Sequence, residues 1–134
     1  MKTKTVKSLK KEVWEIFSLY IRTRDCLKTI GSKDYGLCVT CGKQFPITVL
    51  HAGHFVGGRH NGNLFNEKGC HAQCPQCNVF LHSNPLVYRR KIVEMYGVGY
   101  DEVLEKESQE LKKYTVSELL SLRDELKEKL KQIS

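Results

Sequence analysis

Two identical cysteine pairs limit what this chain can fold into more than any other feature. Cys38-Val39-Thr40-Cys41 and Cys74-Pro75-Gln76-Cys77 share the C-x-x-C spacing, and 32 residues lie between them. Thiolates at that spacing can grip one ion from a tight turn. Two such turns supply the four sulfur ligands that tetrahedral zinc prefers. Any fold must therefore bring residues 38–41 against residues 74–77. The spacer is longer than the usual run between zinc-finger pairs, so it must hold structure of its own. All five histidines, His51, His54, His60, His71 and His82, lie in it or just after it.

Two cysteines are left over. Cys26 reads as a small buried apolar residue, and Cys70, four residues before Cys74, is a weaker substitute ligand. The basic start is not followed by an uncharged apolar stretch, and no run is long enough to span a membrane. The expectation is a protein of the reducing cytoplasm, where paired cysteines act as metal ligands rather than disulfides. A structural metal also suits a small chain, since zinc contributes roughly 10–16 kcal/mol of apparent binding energy in small domains.

The formal charge of +7 points to a polyanionic partner, most simply nucleic acid. Residues 1–37 carry 9 basic and 4 acidic side chains, residues 38–100 carry 6 and 2, and residues 101–134 carry 7 and 9. The first two thirds are therefore the expected DNA surface, and the tail is not.

Periodicity predicts an N-terminal helix over residues 6–30, with Leu9, Val13, Ile16, Phe17, Tyr20 and Ile21 on one stripe and Gly31 ending it. Ile47 to Leu50 reads as a β-branched strand running into His51-Ala52-Gly53-His54. A glycine- and asparagine-rich loop follows, then a second short strand at Leu64 and Phe65, and a helix from Pro75 to His82. Asn84-Pro85 starts a further helix that stops at Gly97, and Asp101 can cap another. Thr115-Val-Ser-Glu118 has capping-box spacing and opens a last amphipathic helix marked by Leu119, Leu122, Leu126, Leu130 and Ile133. The whole is expected to be one domain over 1–134. Residues 38–82 form its zinc-bound core and 84–134 its C-terminal helices, the last helix serving as a packing arm or dimer contact.

Knuckle, strand ending in histidine, loop, second knuckle and helix together resemble the HNH, or His-Me finger, nucleases. The resemblance implies an α+β fold with a zinc-stabilised ββα-metal core flanked by helices. It also implies that His54 is the general base that deprotonates water for attack on phosphorus, a role that histidine's pKa suits. Asn78, directly after Cys77, matches the phage endonuclease VII type, in which that asparagine holds a divalent ion. His82, four residues on, and His51, on the strand face of position 53, are further candidate ligands for Mg2+ or Mn2+. That endonuclease type has an aspartate where this chain has Gly53. The remaining candidate carboxylates are Glu67, Glu94 and Asp25.

A longer set of motifs is similar to the lambda NinG (Rap) family. It comprises Phe17-Ser18-Leu-Tyr20-Ile21-Arg22-Thr-Arg24-Asp25, Cys38-x-x-Cys41-Gly42, Ala52-Gly53-His54-Phe55, His71-Ala72-Gln73-Cys74-x-x-Cys77-Asn78 and Tyr88-Arg89. The resemblance implies a phage or prophage protein in a bacterial host, acting as an endonuclease on branched recombination intermediates such as Holliday junctions and D-loops. Where that family tends to have Leu-Ser-Gly-Asn, this chain has Leu81-His82-Ser83-Asn84. Arg22, Arg24, Arg59, His60, Arg89, Arg90 and Lys91 are the expected phosphate contacts, and a homodimer would suit a symmetric junction. The alternatives are a non-catalytic zinc-containing DNA-binding recombination accessory protein and a zinc-stabilised protein-interaction module. In either, His51, His54 or His71 could instead bind zinc.

Overall fold

The computed structural model describes residues 4–58 and 60–134. Arg59, one of the expected phosphate contacts, lies outside the described residues. Helix α1 spans Val6–Thr29 and opens with a reciprocal cap between Thr5 and Ser8, so two orphan N-terminal donors are satisfied at once. Leu9, Val13, Phe17 and Ile21, four residues apart, are fully buried.

Two antiparallel hairpins follow. Strands β1 (Tyr35–Leu37) and β2 (Gln44–Pro46) pair around the first knuckle. Strands β3 (His51–His54) and β4 (Cys70–Gln73) pair with His51 opposite Gln73 and Gly53 opposite His71. Ile47 to Val49 form a turn and not a strand. The Val49 and Leu50 amides both donate to the Pro46 carbonyl, and Leu50 tucks under the hairpin beside Cys26 and Ala72. Leu64 and Phe65 likewise lie in a turn, and the second core strand starts six residues later than the apolar pair suggests. Both are cases of burial without sheet pairing, which composition cannot separate from a strand.

After the second knuckle the chain makes one π-helical turn, Gln76–Phe80. The Leu81 amide reaches the Gln76 carbonyl and the Ser83 amide reaches that of Asn78, five residues back in each case. The helix therefore stops short of His82. His82, Ser83 and Asn84 all have positive φ, at 48°, 77° and 51°. Three such residues in succession are strained without glycine. Ser83 stands where the resembled family tends to have glycine, which fits the backbone shape. Helix α2 (Pro85–Tyr96) has Pro85 at its first position, but left-handed Asn84 makes no side-chain cap. Gly99, not Asp101, precedes α3 (Tyr100–Ser108); Asp101 sits in its first turn.

Helix α4 (Val116–Ile133) carries the expected Thr115–Glu118 box. It lies along α1, burying Leu119 and Leu126 against Leu9, Val13, Phe17 and Ile21, with Ala52 and Cys70 of the β3–β4 hairpin completing the cluster. On the other side of the hairpin Phe55, Tyr88, Ile92 and Leu104 join α2 and α3. The hairpin is thus held between two helical layers. A buried ionic clamp adds direction to the α1 side. Arg24 donates to Asp25 and to the carbonyls of Glu67 and Cys70, while Asp25 accepts the Ala72 amide at 2.7 Å. Among the described residues no helix is long and apolar enough to cross a membrane.

Candidate metal centre and catalytic cleft

The two knuckles meet. The sulfurs of Cys38, Cys41, Cys74 and Cys77 lie within 4.8 Å of one another, and Cys41 and Cys74 are 3.8 Å apart. Zn–S bonds of about 2.3 Å in a tetrahedron give sulfur separations near ~3.8 Å. The four cysteines could therefore hold a zinc ion with little rearrangement. Burial pushes the Cys38 thiol up, but the backbone amides of Cys41 and Cys74 and the Thr40 hydroxyl outweigh it and bring it down to about 6. A thiolate is thereby ready at neutral pH. Cys70 is buried in the α1 cluster, away from the four sulfurs, and does not serve as a substitute ligand.

Neither does His71. Its Nδ1 lies 3.1 Å from the Tyr88 hydroxyl and its Nε2 lies 2.7 Å from that of Tyr96. Tyr88 donates its only proton to the Gly53 carbonyl at 2.6 Å, so its oxygen accepts from His71 Nδ1–H, and His71 Nε2 accepts from Tyr96. This chain of three bonds from α2 fixes the backbone of β3 one residue before His54. Burial holds the His71 pKa down at about 4, so the ring is neutral in this role. Spacing alone carries no signal for such a relay.

Alternation along β3 sends His54 and Ala52 toward α1, and His51 and Gly53 toward the second knuckle. The buried His54 ring stacks on Trp14, with centroids 5.3 Å apart. Its Nε2 lies 3.0 Å from the Leu64 carbonyl. A carbonyl only accepts, so Nε2 carries a proton and donates it there. On the other face, Asn78 Nδ2 donates to His51 Nδ1 at 3.0 Å. Trp14, which stacks on His54, also lines a cleft of about 370 Å³ with Ser18, Arg22, His51 and Asn78.

Gly53 has a packing reason. A Cβ there would fall 2.9 Å from the Cβ of Gln73, overlap Gln73 Oε1, and lie 3.1 Å from Asn78 Oδ1. The expected carboxylates do not replace the missing aspartate. Asp25 is taken by Arg24 and the Ala72 amide, Glu67 by Lys129, and Glu94 by Lys91. His82, exposed beyond the end of the π turn, is not brought one turn above Asn78 as the four-residue spacing suggested.

The basic residues divide. Arg22 stays at the cleft, steadied by Ser18 and the Ile47 carbonyl. Arg24 is a scaffold residue, since both its terminal nitrogens are bound to carbonyls. Arg89 is paired with Asp101 and Glu105, and Lys91 with Glu94; Arg90 is exposed. His60 lines a separate cleft with Asn61 and Lys112 rather than flanking His54. Helix α1 carries further basic residues off its buried stripe. Lys7, Lys11, Trp14, Ser18 and Arg22 recur at helical spacing on α1. Lys10, Lys11, Trp14 and Leu64 line a second cleft, so Trp14, which stacks on His54, is shared by two clefts. The 3.6-residue period was available in the sequence, but only the fold shows which polar face meets the histidine.

The match that decides the family covers the whole chain, residues 1–134, with the family described as bacteriophage lambda NinG protein. The chain belongs to the NinG family. It is 26% identical over 124 residues to "Protein ninG" of Salmonella phage P22 and 28% identical over 125 residues to "Protein ninG" of Escherichia phage lambda. Each alignment covers 92% of this chain and 56% of the relative, so the chain spans about half the length of these NinG proteins. No solved structure matches.

Proposed function

We propose that this NinG-family protein is a metal-dependent DNA endonuclease of the His-Me finger type that acts on branched recombination intermediates. The observation that carries the reading is the state of His54. Its Nε2–H is tied to the Leu64 carbonyl and its ring is stacked on Trp14, so the imidazole is held in one place at the end of β3. A histidine held in a fixed position is what abstraction of a proton from water requires. The Tyr96–His71–Tyr88 relay keeps the preceding carbonyl, and with it the strand, in register. The zinc cysteines fix the start of the π turn and so the position of Asn78.

A divalent ion suits the Asn78 amide oxygen, which lies beside Gly53 where no Cβ intrudes. Asn78 would hold it, with His51 orienting the amide. When bound, Mg2+ or Mn2+ would neutralise phosphate charge and stabilise the leaving oxygen. Along α1, Lys7, Lys11 and Arg22 offer cations to the phosphates.

His54→Ala should lower cleavage of four-way, flap or linear DNA by about 10²–10⁴-fold with magnesium or manganese, while zinc content and DNA binding stay intact. Cleavage equal to that of the unmodified protein would refute the base assignment. The commitment of Asp25, Glu67 and Glu94 to other partners favours a second reading, a zinc-containing DNA-binding accessory protein that does not cut. Junction binding without cleavage in either metal would support it.

A further inference from the structure

The oxygen that the divalent-ion reading lacks comes from a residue outside the expected ligand set. Gln73 is fully buried at the end of β4, opposite His51. Its Nε2 donates to the Ser83 carbonyl at 2.8 Å and to the Thr40 hydroxyl at 3.1 Å. The Ser83 carbonyl can only accept, so the amide nitrogen is fixed on that side and Oε1 on the other. Among the described residues nothing donates to Oε1. Folded proteins rarely leave a buried amide oxygen in that state, and each instance asks for an explanation.

Oε1 lies over Gly53, in the place that a side chain there would take. A Cβ built on Gly53 would overlap it and would lie 3.1 Å from Asn78 Oδ1. Two amide oxygens from different elements therefore flank the position of one absent Cβ. It is the point from which a residue-53 side chain would reach out, the position at which the endonuclease VII type carries its aspartate. The anchors on both amides are internal. Ser83 sits in the left-handed segment after the π turn, and His51 fixes the Asn78 amide.

We propose that Gln73 Oε1 and Asn78 Oδ1 together form a divalent-cation site in which the buried glutamine replaces the missing carboxylate. Side-chain amide oxygens are ordinary ligands for hard cations. This site deepens the endonuclease reading and takes its role from it, but its existence is a separate matter. The protein ligands are neutral, so affinity without DNA is low and phosphate oxygens complete the shell. Gly53 is then not a defect of the motif: its missing Cβ leaves room for the glutamine.

The test is titration of the zinc-loaded protein with Mn2+, following the free-ion signal by electron paramagnetic resonance, with zinc retention checked in parallel. One Mn2+ per chain should bind with a dissociation constant on the order of 10⁻⁴–10⁻³ M, and Gln73→Glu should tighten it at least ~10-fold by adding charge. Gln73→Met and Asn78→Ala should each abolish it. Asn78 is half-exposed, so that variant remains informative if Gln73→Met proves unstable. Equal Mn2+ binding by the unmodified protein, Gln73→Glu and Asn78→Ala would overturn the proposal, as would no binding by any of them. Junction cleavage measured beside it separates the two readings. Cleavage with Mn2+ binding indifferent to Gln73 sinks the glutamine site alone. Mn2+ binding through Gln73 without cleavage sinks the endonuclease reading alone.

Discussion

Replacing Asp25 with asparagine tests whether this carboxylate is scaffold or metal ligand. Asp25 is 6% exposed and holds α1 against β4 through both oxygens, one taking the Arg24 Nε–H at 2.8 Å and the other the Ala72 amide at 2.7 Å. Asparagine keeps the shape but loses the charge and turns an NH2 group toward one of the two donors. Breaking a buried pair by removing one partner costs about 3–5 kcal/mol. Arg24 keeps two carbonyl acceptors, at Glu67 and Cys70, so the low end applies. About 2.1 cal/mol/K of unfolding entropy per residue gives ~0.28 kcal/mol/K for this chain, and ~3 kcal/mol then lowers the midpoint by ~10 °C. The assay is thermal unfolding in excess zinc, so that metal release does not move the midpoint by mass action. Mn2+ binding by the folded variant should not change. A midpoint within 2 °C of the unmodified protein, or lost Mn2+ affinity with the midpoint kept, would refute the assignment of Asp25 to the scaffold.

Gly53→Ala should destabilise the protein by about 1–3 kcal/mol, because the new Cβ meets the buried Gln73 side chain; urea unfolding measures it. Tyr88→Phe leaves the Gly53 carbonyl and His71 Nδ1 without their shared hydroxyl and should cost about 1–3 kcal/mol by the same assay. His71 has its folded pKa lowered from 6.5 to about 4, so the unfolded chain binds the extra proton first. Its contribution is complete above pH 6.5 and is lost as pH falls from there toward 4, amounting to about 3 kcal/mol at most. Comparing the stability of the unmodified protein and His71→Phe across that range should show a difference that shrinks on acidification. Chelation of zinc should release both knuckles together, seen as a single cooperative loss of circular dichroism with four thiols becoming reactive.

Much of this molecule is local and could be read in order along the chain. The α1 stripe, the Thr115–Glu118 box, Pro85 at a helix start and the stop at Gly97 are short-range steric and hydrogen-bonding choices. The four knuckle cysteines belong here too, since two C-x-x-C turns that could share one metal ion leave little freedom. Strand boundaries were not legible, because Ile47, Leu50, Leu64 and Phe65 are apolar for burial outside any sheet and composition does not record the pairing partner.

The sequence by itself determined that a sulfur-lined turn pair would close around a histidine-bearing insert, and which histidine would end its first strand. Tertiary structure alone decided what surrounds that histidine. It ended the π turn before His82, spent Arg24 and Asp25 on joining helix to hairpin, and turned the amide oxygen of Gln73 toward Gly53. The last two outcomes depend on contacts between residues 20 to 47 positions apart. Their energies are set by which buried donor finds which acceptor, and spacing along a chain does not encode that.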